Sequence, residues 1–251
     1  MQNQPTLREQ TDTIINNIIF SPQPFTITGD VAYVKGLLLT IYPVIKSYNL
    51  RISAGMSSLI ESLHAEKATD DMKLWYRLIF KAMQSTMPNG GFYYNELHKL
   101  GEKLSISPDE FLAAGEWGNP KSHLNLAVQA RSSFAINPPG GEYSLANHVC
   151  YWFVMQSVVT WFFRELLIKS VDKMRDSTSP FIFNDGETLI FLPRINPDIP
   201  LDTLLAMEAL KDANLKKHFL LEVELNCKAW ATWFKLRAVA IAEMAEKTHE
   251  H

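Results

Sequence analysis

"HVCYWFVMQSVVTWFFRELLI" occupies residues 148–168 and is the most apolar run in the chain. Its length approaches the roughly 20 apolar residues that a membrane-crossing helix needs. His148, Gln156, Arg164 and Glu165 interrupt it, and such groups are expensive inside hydrocarbon. The run therefore reads as a helix buried inside a water-soluble bundle, apolar on most sides because other helices surround it. That reading excludes the membrane and requires the rest of the chain to supply the neighbours.

The composition agrees. The chain has 251 residues, of which 47% are hydrophobic and 20% charged, values typical of a globular protein with a sizeable core. A net charge of −3 carries no clustered basic excess, which argues against nucleic acid and acidic membranes as partners. The first 20 residues lack the basic start and apolar run of a secretory signal. The two cysteines, Cys150 and Cys227, both fall in apolar helical context. Usage this sparse suggests buried thiols in a reducing compartment, so the expected location is cytoplasmic.

Helical periods fill the flanks. Residues 1–24 are polar, end in "SPQPF", and read as an N-terminal arm leading into a single helical domain over 25–251. A helix follows from Asp30 to Tyr48, with Pro43 expected to kink or break it. "SAGMSSLIESLHAEK" gives a second helix. "DMKLWYRLIFKAMQSTM" gives a third, which stops at "PNGG" (88–91). "YYNELHKLGEKLSI" is another helix, and "SPDEFLAAGEW" carries the clearest start in the chain. There Ser107 stands as N-cap, Pro108 at the first helical position and Glu110 at the third. The long apolar helix is expected over about 144–174, and a last one over about 202–247 with a break near Asn214. "PFIFNDGETLIFLP" (180–193) departs from this pattern, with two β-rich runs around "NDG" that predict an inserted hairpin. The fold class is all-α with one small hairpin.

Polar residues inside apolar helices carry the functional information. His148, Trp152 and Gln156 recur every four residues on one face of the apolar helix. They form either a core hydrogen-bond network or the wall of a cavity holding a metal or substrate. In "LKKHFLLEVEL" (215–225), His218 and Glu222 share a helix face and can grip one metal ion. The place three residues beyond holds Leu225. His64 and His98, set among glutamates, are expected at the surface. No glycine-rich phosphate loop, CxxC pair or HExxH motif is present.

The segment from "SAGMSSL" to "KLSISPDEFL" (103–112), the apolar helix and the final His-bearing helix together resemble a haem-oxygenase-like bundle. The likeness is to the branch holding TenA thiaminase, the quinone synthase PqqC and the CADD-like iron-containing oxidases. "KLSISPDEFL" matches an element of Leu-Gly-Ile-Ser-Pro-Glu-Glu type. The resemblance implies a non-haem iron oxidase or oxygenase acting on a small organic molecule. His218 and Glu222 would hold the iron, with His148 recruited from the facing helix, and Tyr93, Trp152 and Gln156 would shape the catalytic pocket. It also exposes departures from the pattern. Leu225 stands where a second His is expected, Gln156 where a Glu is expected, and Gln84 or a neighbour at another acidic position. An amide cannot compensate a dication as a carboxylate does. The alternative is therefore a metal-free member, either a cofactor-independent oxidase or a non-catalytic binding module. The hairpin at 180–193 could serve as a homodimer contact or a lid.

Overall fold

The computed structural model describes residues 5–44, 69–71, 73–74, 77, 90–115, 144–177 and 211–249. These are 85% helical and contain no strand. The expected hairpin at 180–193 and the helix "SAGMSSLIESLHAEK" lie outside the described residues.

The chain enters through α1 (Leu7–Ile15), which continues into a π-helical turn, Asn16–Phe20. Thr6 starts it with a capping box: its hydroxyl accepts from the Glu9 backbone N–H, and the Glu9 carboxylate accepts from the Thr6 N–H at 2.7 Å. The expected arm is thus a helix seated on the core, with Thr11, Ile15 and Ile19 buried. The physical reason is a helical stripe of Leu7, Thr11, Ile14, Ile15, Ile18 and Ile19, which the surrounding polar residues conceal in a composition reading.

The second helix, α2, spans 31–44 and contains Pro43 within its last described turn. Asp30 caps it by accepting from the Tyr33 N–H at 2.7 Å. Every residue from Gly36 to Val44 is buried, so α2 is surrounded on all sides and forms the centre of the bundle.

The next pair is α3 (Gly90–Lys103) and α4 (Pro108–Gly115). α3 begins inside the expected breaker at 88–91, because glycine is tolerated at a helix start where backbone N–H groups have no helical partner anyway. Between the two helices, Ser105 takes a left-handed conformation at φ 56°. The Ile106 N–H donates to Gly101 O at 2.8 Å and the Ser105 N–H to Glu102 O at 2.9 Å, the paired closure of a Schellman turn. The predicted capping box of α4 forms: the Ser107 N–H donates to the Glu110 carboxylate at 2.8 Å and the Glu110 N–H to Ser107 Oγ at 3.2 Å.

The apolar run falls on α5 (Ser144–Trp161), a π-helical segment (Phe162–Ile168) and α6 (Lys169–Ser177), one continuous helical path. Phe162, Phe163, Leu166 and Leu167 are all buried in the π segment, so two adjacent residues per turn face the core. No helix among the described residues is long and apolar enough to cross a membrane. The last helix, α7 (Ala213–His249), runs 37 residues. It follows a turn at Lys211 and Asp212, beside the expected break near Asn214, and the expected stretch before residue 211 lies outside the described residues. Asp212 starts it by accepting from the backbone N–H groups of Asn214 and Leu215 at 2.9 and 3.0 Å.

The cross-helix contacts fix the directions. Asn147 meets His218, Cys150 meets Asn226 and Phe162 meets Phe234, so numbering rises together and α5 runs parallel to α7. α1 shares that direction, since Arg8 lies over the Phe153 ring and Phe20 stacks on Trp161. α2 runs the opposite way, with Gly36 against Ile241 and Thr40 bonded to Arg237. A Cβ on Gly36 would come within 2.7 Å of the Ile241 side chain, so the α2–α7 crossing is set by that glycine.

Candidate functional site

The polar residues that the sequence singled out on α7 face α5. His218 Nε2 lies 2.5 Å from Asn147 Oδ1. An amide oxygen can only accept, so Nε2 is the donor in this contact. Asn147 thereby fixes the plane of the His218 ring.

Four residues along α7 comes Glu222, half-buried like His218, and four further comes Asn226, which is 3% exposed. The helix face therefore continues through Asn226, while Leu225 is half-buried. Asn226 Nδ2 donates to the Glu222 backbone carbonyl at 2.8 Å and lies 3.7 Å from Cys150 Sγ on α5. Its Oδ1 is shut from solvent and has no hydrogen-bond partner among the described residues. Turning the amide over would place that oxygen against the Glu222 carbonyl, two acceptors face to face, so the present orientation is the better one. The ladder His218–Glu222–Asn226, opposed by Asn147 and Cys150, grades from half-buried to fully buried within a seam otherwise lined by apolar residues such as Phe219 and Val223.

The neighbouring Cys227 faces apolar surroundings. Burial, with a smaller contribution from the Glu224 charge, pushes its thiol up to about 12. That makes it an inert core thiol rather than a nucleophile.

A second polar contact lies elsewhere in the core. His98, expected at the surface, is half-buried, with Nε2 3.4 Å from the hydroxyl of the buried Tyr42 and its ring 4.4 Å from that of Phe111.

The sequence candidates therefore divide into two groups. His218 and Glu222 are placed on the face of α7 that meets α5. Tyr93 lies on α3, and His148, Trp152 and Gln156 lie on α5, but their side chains are outside the described residues. Asn147 and Asn226 are the residues that sequence reasoning passed over. The available signal was the continued spacing of four from His218 through Glu222 to Asn226. No protein-family model matches the chain, and no curated protein or solved structure matches it either.

Proposed function

We propose that the α5–α7 seam binds a small organic molecule, and that the protein is a haem-oxygenase-like oxidase or oxygenase acting on it. The observation that carries the location is the His218–Asn147 contact, which fixes an imidazole between two helices of an apolar bundle. The resemblance of the sequence to oxidases of that branch supports the reaction class. Ser105 adds support, because its left-handed backbone stands where the resembled element carries glycine.

For an iron site, His218 and Glu222 would supply two donors on one face of α7, and His148 is the residue through which a third would come. Among the described residues no group of three His, Cys, Asp or Glu side chains could hold a metal ion, so the donor set described is incomplete for iron. What the chain's own residues do is orient the bound molecule and move a proton: His218, its ring held by Asn147, is the group placed to take one. With dioxygen as electron acceptor, two electrons and two protons leaving the substrate give hydrogen peroxide and the oxidised product. In this reading Trp152, Gln156 and Tyr93 shape the pocket.

A second reading, a non-catalytic binding module, is favoured by the pairing of polar groups with one another: His218 with Asn147, and Asn226 with Glu222 and Cys150. The orphaned Asn226 oxygen opposes it, because a buried acceptor left unpaired in a native core calls for an explanation.

The test is metal content by mass spectrometry after anaerobic Fe(II) loading, for the wild type and His218→Ala, followed by oxygen consumption with reductant. Near-stoichiometric iron in the wild type, lost in the variant, supports the iron oxidase. Absence of iron in both, with oxygen uptake that depends on His218, supports the metal-free oxidase. Absence of iron and of uptake in both proteins removes the enzymatic reading.

A further inference from the structure

We propose that Asn226 is the specificity-determining residue of the seam, and that its Oδ1 receives an N–H or O–H group carried by the bound molecule. The inference rests on the small-molecule reading above and deepens it to a substrate class. The ligand bears a hydrogen-bond donor head, such as an amine, amide or hydroxyl, on an apolar body, and its head is not a carboxylate.

The argument begins with the orphaned oxygen. A buried acceptor without a donor is destabilising, and such a group in a folded protein needs a reason. The amide is held in place from its other end, where Nδ2 donates to the Glu222 carbonyl at 2.8 Å, so the oxygen cannot turn to find a partner of its own. Cys150 Sγ, 3.7 Å from Nδ2, lies on the donor side of the amide. The acceptor is therefore set in place and left unused. A carboxylate head would oppose acceptor to acceptor, whereas a hydroxyl or amine would satisfy it.

The surroundings set the rest of the ligand. One turn to either side of Asn226 lie Val223 and Trp230, both buried, so the wall around the amide is apolar and a ligand body seated there would be apolar too. Toward the surface the face leads back to Glu222 and His218, both half-buried and within reach of solvent. His218 and Asn226 are eight residues apart, about 12 Å along the helix axis, so a molecule of a few linked rings or chain units would span them. Because solvent does not reach Oδ1, entry requires α5 and α7 to part locally.

The experiment uses three probes of one size on the full-length protein: benzyl alcohol and benzylamine, which carry donor heads, and benzoate, which carries only acceptors. Thermal unfolding is followed at millimolar probe for the wild type, Asn226→Leu and His218→Ala. Asn226→Leu is near in volume and removes the orphaned group, so without probe it should unfold at the same temperature as the wild type or higher. The expected result is that a donor probe raises the unfolding temperature of the wild type, that benzoate does not, and that the rise disappears in Asn226→Leu. A rise of equal size in Asn226→Leu, or with benzoate, overturns the inference, and so does the lack of any rise in the wild type. If His218→Ala loses a probe response that Asn226→Leu keeps, the seam is still the binding site and the assignment to Asn226 alone has failed.

Discussion

At the scale of single residues, burial opposes charge at three side chains, Cys227, Tyr33 and Arg237. The clearest case is Cys227, whose thiol rises from an ordinary 9.0 to about 12, first through burial and then through the Glu224 charge. The unfolded chain releases this proton at lower pH than the folded protein does. The contribution to stability is therefore complete below pH 9 and is lost as pH rises through 12. Burial also raises Tyr33, with the same sign, at higher pH. Arg237, lowered by burial to about 10, acts in the opposite direction above that value, because its folded form gives up a proton first. Between pH 9 and 10 the cysteine term dominates and should amount to about 1 kcal/mol of lost stability. Urea unfolding of wild type and Cys227→Ala across this interval checks it: the wild type should weaken more steeply, and parallel curves would show the thiol to be solvated.

Between residue and fold stands the element, where the sequence was most and least informative. The α4 start was legible because Ser107, Pro108 and Glu110 act through local backbone bonds that need no tertiary partner. The left-handed Ser105 was not, since nothing in serine itself calls for φ 56°; the Schellman closure of α3 imposes it. The π-helical segment Phe162–Ile168 was equally hidden, because an i→i+5 ladder leaves no distinct hydrophobic period in a run as apolar as 148–168. Ser105 offers a direct test of the strain. A left-handed L-residue costs roughly 1–2 kcal/mol, of which glycine would return part against its own chain entropy. Ser105→Gly should therefore stabilise the protein by about 0.5–1 kcal/mol, seen as a higher urea midpoint at unchanged slope. A lower midpoint would mean that the serine hydroxyl contributes more than the backbone strain removes.

On the scale of the whole molecule, the parallel course of α5 and α7 is what brings Asn147 to His218 and Cys150 to Asn226. The all-α class and the α7 half of the candidate site could be read from spacing. Helix direction could not, nor could Asn147, because a partner from a distant element leaves no mark in local sequence. The same limit explains the reading of residues 1–24 as an arm, when their apolar side chains close the bundle. Ile15 and Ile19 are each 2% exposed, and Phe20 stacks on Trp161 at 5.2 Å. Burying a large aliphatic or aromatic side chain contributes about 1.5–3 kcal/mol. Removal of residues 1–20 takes away the fully buried Ile15 and Ile19, about 3–6 kcal/mol on that scale, together with the partly buried Phe20, and uncovers Phe153 and Trp161 on α5. Domains hold together by only about 5–15 kcal/mol in total. The truncated protein should therefore lose cooperative thermal unfolding by circular dichroism while keeping much of its helical signal, and should bind a hydrophobic dye. A truncated protein that melts as sharply as the full chain, within a few degrees of it, would return these residues to the role of an arm.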